Sequence, residues 1–232
     1  MLSGINKVNK IKMLTFDNIR KNPQIHQFIE KSAESLKIQG YTDHGFRHVG
    51  IVSDRAGKIA RNLKFNETDT ESVKIAGYCH DMGNFLGRSA HHYWSAILFH
   101  QIFHGDLDVE QITDIMQAIV AHDKEQVKIM NKIAAATIIA DKSDVHRSRV
   151  LSKKMEKIKA DIHDRVNYAV VDNHLAIMPD KKIIRLSLTL DQKFIDILEY
   201  FEIFTNRMTY CRTAADYLGY KFSLEVNKFK LS

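Results

Sequence analysis

The sequence predicts a mainly α protein, a helical body over residues 1–160 followed by a small α+β extension over 161–232. Three observations carry this. Apolar residues recur at three- and four-residue spacing through the first two thirds of the chain. Near residue 160 that period gives way to short β-prone runs with no flexible linker between. Only two prolines, Pro23 and Pro179, interrupt the 232 residues, a length sufficient for a substantial core.

The elements follow in order. "NPQIHQFIEKSAESLKIQG" has Asn22 as N-cap, Pro23 at the first helical position and Gly40 past the end, with Ile25, Phe28, Ile29, Ala33 and Leu36 as its apolar stripe. A second helix after "YTDHG" carries Val49, Val52, Ala56, Ile59, Ala60 and Leu63, with Asp43 a candidate N-cap. Thr68 and Glu71 have capping-box spacing before a third helix that ends at His80-Asp81. Ser89 is placed to cap a fourth, stopped by Gly105. Asp108 and Gln111 open a fifth, lined by Ile112, Ile115, Met116, Ile119 and Val120. A sixth is expected from about Glu125 to Asp141, and a basic helix to about residue 160. Beyond it "VNYAVV", "LAIM" and "IIRLSLTL", separated by "DNH" and "PDKK", read as an antiparallel meander. "FIDILEYFEIFTNRMTYCRTAADYLG" returns to helical spacing, and "YKFSLEVNKFKL" suits an edge strand.

Composition narrows the function classes. Hydrophobic residues at 44% and charged residues at 27% are ordinary for a globular chain, and no apolar run reaches 18 residues, so no membrane span is expected. "MLSGINKVNKIK" lacks the apolar region of a secretory signal. Two cysteines, Cys79 and Cys211, are too few for a disulfide framework or a thiolate metal site, which places the protein in a reducing cytoplasm. The net charge of +6 invites a nucleic-acid reading, but the excess is dispersed. Residues 1–40 carry seven Lys/Arg against three Asp/Glu, and 141–165 carry eight against five, without interleaved aromatics. Solvated helix faces explain this, and a phosphate-bearing substrate would use the same charge.

Eight of the twelve histidines fall within 44–122. A lone helical histidine is usually a packed or surface residue, and His26, His100, His104, His163 and His174 are read that way. The others sit near helix ends: His48 at a start, His80-Asp81 at an end, His91 at a start, His122 at an end, Asp141 at an end. In an antiparallel bundle such positions converge, although Asp141 then requires its helix to be tilted or offset. At a helix terminus two adjacent side chains can also turn into one gap that is closed to them mid-helix.

The set His48, His80-Asp81 and Asp141 resembles the H…HD…D signature of the HD-domain metal-dependent phosphohydrolases, a helical superfamily. "HVGIVSDRA", "HDMGNFLGRSAHH" and "AIVAHD" resemble its metal-site segments over about residues 40–145. The resemblance implies that His48, His80, Asp81 and Asp141 hold a principal metal ion, with His91 and His122 serving a second. It departs from two branches. No Gly-Tyr-Pro motif follows His122, and no Glu-Asp pair follows "HDMGNF", which speaks against cyclic-dinucleotide and guanosine-alarmone hydrolysis. Asp123 stands where a second histidine is common.

Imidazole and carboxylate donors without thiolate suit Mn²⁺, Fe²⁺, Ni²⁺, Zn²⁺ or, more weakly, Mg²⁺. Such an ion lowers the pKa of bound water towards roughly 7, and Asp81 is the natural bridge if two bind. The expected reaction is hydrolysis of a phosphomonoester or phosphoanhydride of a nucleotide or similar small phosphorylated substrate by a metal-bound hydroxide. Asp81, His44 and Lys142 are the expected catalytic residues, His44 by contacting the phosphate or orienting a ligand. Lys142, Arg147 and Arg149 are candidates to bind phosphate, and Asp144 to position water. Two alternatives are carried: a non-catalytic metal- or nucleotide-binding sensor, and an RNA-binding module, which strong salt dependence would reveal. The favoured reading involves neither nucleic acid nor membrane and leaves homo-oligomerisation open.

Overall fold

The computed structural model describes residues 14–105, 108–123 and 128–231. A short helix α1 (Phe16–Arg20) leads into α2 (Pro23–Ile38), whose N-cap Asn22 accepts from the amides of Gln24 and Ile25. Gly40 ends that helix at φ +83°, the left-handed region glycine enters without steric cost. The helical body continues with α3 (Phe46–Asn62), α4 (Glu67–Cys79), α5 (His91–Phe103), α6 (Val109–Ala121) and α7 (Lys132–Lys142). Helix α7 is the hub: every residue from Ile133 to Lys142 is buried, which is why its sequence shows no polar face.

Several expected boundaries move. Helix α4 is capped by Asn66, whose side chain accepts from the Asp69 amide at 2.8 Å, not by a Thr68/Glu71 box; Glu71 instead takes the Phe16 amide at 2.5 Å and Lys74 at 2.8 Å. Ser89 does not cap α5: residues 84–90 form two 3₁₀ turns, and Ala90 precedes the helix with no side-chain cap. Asp108 is the N-cap residue of α6 but makes no side-chain cap bond, because Gln111 turns inward to Ser72 Oγ. Helix α7 starts at Lys132, behind Asn131, rather than near Glu125, which itself lies outside the described residues. Asn131 bonds Asp114 and Gln117 of α6 at 3.1 and 2.9 Å, while the far ends of both helices meet at His122 and Asp141. Helices α6 and α7 therefore run parallel, which brings Asp141 to the right end.

Instead of one basic helix, a 3₁₀ turn (Arg147–Arg149) precedes two short helices, α8 (Met155–Ala160) and α9 (Ile162–Ala169). "VNYAVV" is thus mostly helix. Strand β1 (Val170–Met178) runs straight through "DNH", because Asn173 Nδ2 donates to the carbonyls of Ser143 and Val145 and Arg55 bonds its oxygen. These bonds to the helical body offset the low strand propensity of Asp172 and Asn173. Strand β2 (Ile183–Leu190) returns antiparallel after Pro179–Lys181 and left-handed Lys182 (φ +49°).

Helix α10 (Ile197–Tyr217), opened by an Asp196/Glu199 capping box, crosses over so that β3 (Lys221–Val226) pairs parallel to β2. The meander expectation fails there, since a long crossover helix permits parallel pairing. The sheet order is β1-β2-β3-β4, so β3 is an inner strand; β4 (Phe229–Lys230) lies at the edge, joined through Asn227 and Lys228 at positive φ. One continuous apolar core runs from Phe16 to Val226 across residue 160. Tyr210 of α10 donates to the Ala121 carbonyl, tying the extension to the end of α6. No helix among the described residues is long and apolar enough to cross a membrane.

Candidate metal centre

Helix ends deliver the donors. His48 sits in the first turn of α3, His80 follows α4, His91 begins α5, His122 follows α6 and Asp141 lies in the last turn of α7. All are buried, with Asp141 the most accessible at 8%. Gly83 permits the convergence: a Cβ there would lie 2.5 Å from the Ser95 amide nitrogen and 2.7 Å from the His91 carbonyl, so only glycine lets α5 pack onto the 80–86 turn.

The donor spacing fits an ion. His48 Nε2 is 3.2 Å from His80 Nε2, 3.3 Å from Asp141 Oδ1 and 3.6 Å from Asp81 Oδ2. His80 Nε2 is 3.2 Å from Asp81 Oδ2 and 3.7 Å from Asp141 Oδ1. Donors about 2.1 Å from one ion lie about 3.0 Å apart at right angles and about 3.4 Å apart at the tetrahedral angle. These four atoms therefore surround a common point at coordination distance.

A second group stands beside the first. His91 Nε2 is 3.1 Å from Asp81 Oδ1 and 3.1 Å from His122 Nε2, and His122 Nε2 is 3.6 Å from Asp81 Oδ1. Asp81 thus turns one oxygen to each group, the disposition of a bridging carboxylate.

The tautomers say the same. Nδ1 of His80, His91 and His122 faces the carbonyls of Gly77, Arg88 and Ile119 at 2.8, 2.7 and 2.5 Å, and Nδ1 of His48 faces Asp144 Oδ2 at 2.7 Å. A carbonyl or carboxylate needs a donor, so the proton sits on Nδ1 and each Nε2 carries a lone pair. Lone pairs that face one another beside two carboxylates call for a cation. A proton answers in part: burial pulls the His80 pKa down, but Asp81 and Asp141 outweigh it and hold it above the usual value. Burial lowers His122 to about 4. Burial pushes Asp81 and Asp141 up, yet His80 for Asp81 and Lys142 for Asp141 lead the terms that keep both well below the carboxylate range.

A small cavity of about 100 Å³ opens onto the cluster, lined by His44, Asp81, His122, Asp123 and Asp141 together with four cations, Arg88, Lys142, Arg149 and Arg207. Lys142 Nζ lies 3.0 Å from Asp141 Oδ2 and 3.5 Å from Asp123 Oδ1. Arg149 is pinned by the carbonyls of Asp144 and Asp43, at 2.8 and 3.0 Å. His44 donates from Nδ1 to the Thr42 carbonyl at 2.6 Å, leaving Nε2 as an acceptor, and burial, aided by Arg149, holds it neutral. It is poorly suited to the phosphate contact expected of it, which needs a donor.

Two candidates lie elsewhere. Arg147 is exposed, with its guanidinium 5.1 Å from the centroid of the Tyr168 ring, away from the cavity. Asp144 does not line the cavity; it accepts from His48 and, through both oxygens, from Arg47 at 2.9 and 3.2 Å, which makes it the group that orients His48. Asp123 lies at the rim, 3.9 Å from His91 Nδ1. The sequence gave no sign of Arg88 or Arg207. Arg88 follows the HD turn without motif spacing, and Arg207, from the middle of α10, reaches the cavity only through tertiary packing.

Comparison with known proteins agrees with this geometry. The HD domain family model matches residues 45–174, more than half of the chain. An uncharacterized protein of Methanocaldococcus jannaschii, MJ1020, is 25% identical over 212 residues, covering 82% of this chain and 81% of that protein. By the match over residues 45–174, this chain belongs to the HD domain family.

Proposed function

We propose that the protein is a metal-dependent phosphohydrolase that cleaves a phosphomonoester or phosphoanhydride of a nucleotide or similar small phosphorylated substrate, in a reducing cytoplasm. One observation carries the reading: Asp81 faces two donor groups, one with each oxygen, at the wall of a cavity whose cations outnumber its carboxylates. The family membership and the buried, free Cys79 and Cys211 agree with it.

His48, His80, Asp81 and Asp141 would hold one divalent ion, and Asp81, His91 and His122 a second. Such ions acidify bound water and draw charge from a phosphoryl oxygen. The chain supplies the rest. Lys142, held by Asp141 and Asp123, and the guanidinium groups of Arg88, Arg149 and Arg207 bind and orient the phosphoryl oxygens. His44 accepts a hydrogen bond at Nε2 from the attacking water, its tautomer fixed by Thr42. Asp144 keeps the Nε2 lone pair of His48 pointed into the cluster. A volume of about 100 Å³ admits a phosphoryl group and little else, which keeps bulk water out.

The test is phosphate release from a panel of nucleotides and small phosphate esters with Mn²⁺, Mg²⁺, Co²⁺ or Ni²⁺. Release is expected with at least one metal, and loss of at least 10³-fold of the rate in Asp81→Ala, in keeping with removal of an electrostatic centre. No release from any ester with any metal, or full activity in Asp81→Ala, would refute the reading.

A further inference from the structure

Beside the inner cavity lies a larger one of about 290 Å³ that shares His44, Arg88 and Arg207 with it. Its remaining walls come from the loop after α2 and from α9: Gln39, Tyr41, Thr42, Asp161, His163 and Asn167 among them. None of these six is Lys or Arg, and one is a carboxylate. The cations of the two chambers are therefore confined to the inner one and the shared boundary. A further phosphate in the outer chamber would meet Asp161, with His163 as the one base among these walls.

Asn167 marks what the chamber is built to meet. Its side chain is buried, at 4% exposure, and its Nδ2 donates to the His163 carbonyl at 2.8 Å. Its Oδ1 is buried without a hydrogen-bond partner. Flipping the amide would set oxygen against the His163 carbonyl, so the acceptor is the atom left over. A buried acceptor without a donor is rare in folded proteins and asks for an explanation. Across the chamber Tyr41 is 43% exposed, with Arg88 5.8 Å from its ring centroid, so part of the ring is open to a ligand.

We infer that this outer chamber receives the leaving group of a phosphomonoester, a neutral alcohol rich in hydrogen-bond donors of the nucleoside or sugar type, and that Asn167 Oδ1 is a specificity-determining acceptor for it. The inference rests on the phosphohydrolase reading, with the phosphoryl group in the inner cavity and Arg88 and Arg207 at the junction. Tyr41 supplies a stacking face if the alcohol carries a base.

Phosphonate analogues, whose P–C bond is not hydrolysed, test this by calorimetry on the full chain with Mn²⁺. The probes are methylphosphonate, the phosphonate analogue of ribose 5-phosphate and that of a nucleoside 5′-monophosphate. At least one of the larger two is expected to bind tenfold or more tightly than methylphosphonate. A nucleoside preference that Tyr41→Ala removes identifies the base-bearing alcohol; equal binding of both, unmoved by Tyr41→Ala, identifies the sugar. Asn167→Ala should cut the advantage at least fivefold while leaving methylphosphonate affinity and metal content unchanged. The inference is overturned if neither larger analogue binds more tightly than methylphosphonate, or if Asn167→Ala weakens all three alike. Failure of the enzymatic reading shows separately, as absence of phosphate release from every ester.

Discussion

Asp144→Asn isolates the part of the site that no ligand substitution reaches. Asp144 touches no donor atom of the cluster except through His48, whose Nδ1 it meets at 2.7 Å, while both of its oxygens hold Arg47. An amide cannot do both jobs. With its oxygen on His48, its NH₂ faces the Arg47 guanidinium, donor against donor. With its NH₂ on His48, it drives the imidazole proton to Nε2 and removes that lone pair from the ion. Losing a partner of this kind lowers metal affinity roughly 10- to 100-fold, or about 1.4–2.7 kcal/mol at 1.4 kcal/mol per tenfold.

Fold stability should fall by less than the roughly 3–5 kcal/mol of a broken, fully buried pair, because the Arg47 side chain is 27% exposed and water takes up part of its charge. The assay is competition for Mn²⁺ or Zn²⁺ against a chromophoric chelator, with thermal melts of the metal-free and loaded protein. The exposed Asp54→Asn serves as a control. A dissociation constant for Asp144→Asn within twofold of wild type, in the same assay where Asp81→Ala loses its metal, would refute the argument that Asp144 fixes the His48 tautomer.

Three further outcomes are expected. Elemental analysis should find both ions lost from Asp81→Ala, about one lost from His91→Ala or His122→Ala, and none from His100→Ala; unchanged content in both the His91 and His122 variants would make the site mononuclear. Gly83→Ala should displace the start of α5, since its new methyl would lie 2.5 Å from the Ser95 nitrogen, and so weaken the His91-containing group more than the His48-containing one; equal weakening would count against that coupling. In chelator-treated protein His122, at about 4 when folded and about 6.5 unfolded, takes up its proton first in the unfolded chain. Its contribution is complete above pH 6.5 and is lost as the pH falls through about 4. His122→Gln should therefore flatten the fall in Tm over that window, and an identical slope would contradict the assignment.

How much of this was legible depended on the range of the interactions. Asn22, Pro23 and Gly40 act within one turn, and the helix they bound is where the sequence puts it. The histidine and aspartate positions were legible because helix ends must meet somewhere, and a metal-capable residue at each end is a local pattern. Caps failed where a tertiary partner claimed the side chain, as Phe16 and Lys74 do Glu71 and Ser72 does Gln111. Strand β1 was hidden because Asn173 is strand-compatible only with Ser143, Val145 and Arg55 in place. Arg207 was beyond reach for the same reason. It lies mid-helix with no motif around it, and only the packing of α10 against the helical body makes it part of the cavity.

The placement of the ligands at helix ends has a further physical logic. The last carbonyls of a helix lack intrahelical partners and carry the negative end of the helix dipole. His80 and His122 each turn Nδ1 back to the carbonyl three residues earlier, Gly77 and Ile119, and His91 does the same to Arg88 in the turn before α5. One hydrogen bond thus does three things: it satisfies a terminal carbonyl, locks the ring, and leaves Nε2 as the lone-pair donor. With Asp141 in the last turn of α7, the C-termini of α4, α6 and α7 all end at the cluster. Their dipoles point negative charge at the place where the donor atoms call for a cation. Mid-helix, none of this is available, because carbonyls there are already bonded and adjacent side chains diverge by about 100°. That is why His80 and Asp81, neighbours in sequence, face one site from the end of a helix, with Asp81 left free to reach both groups of donors.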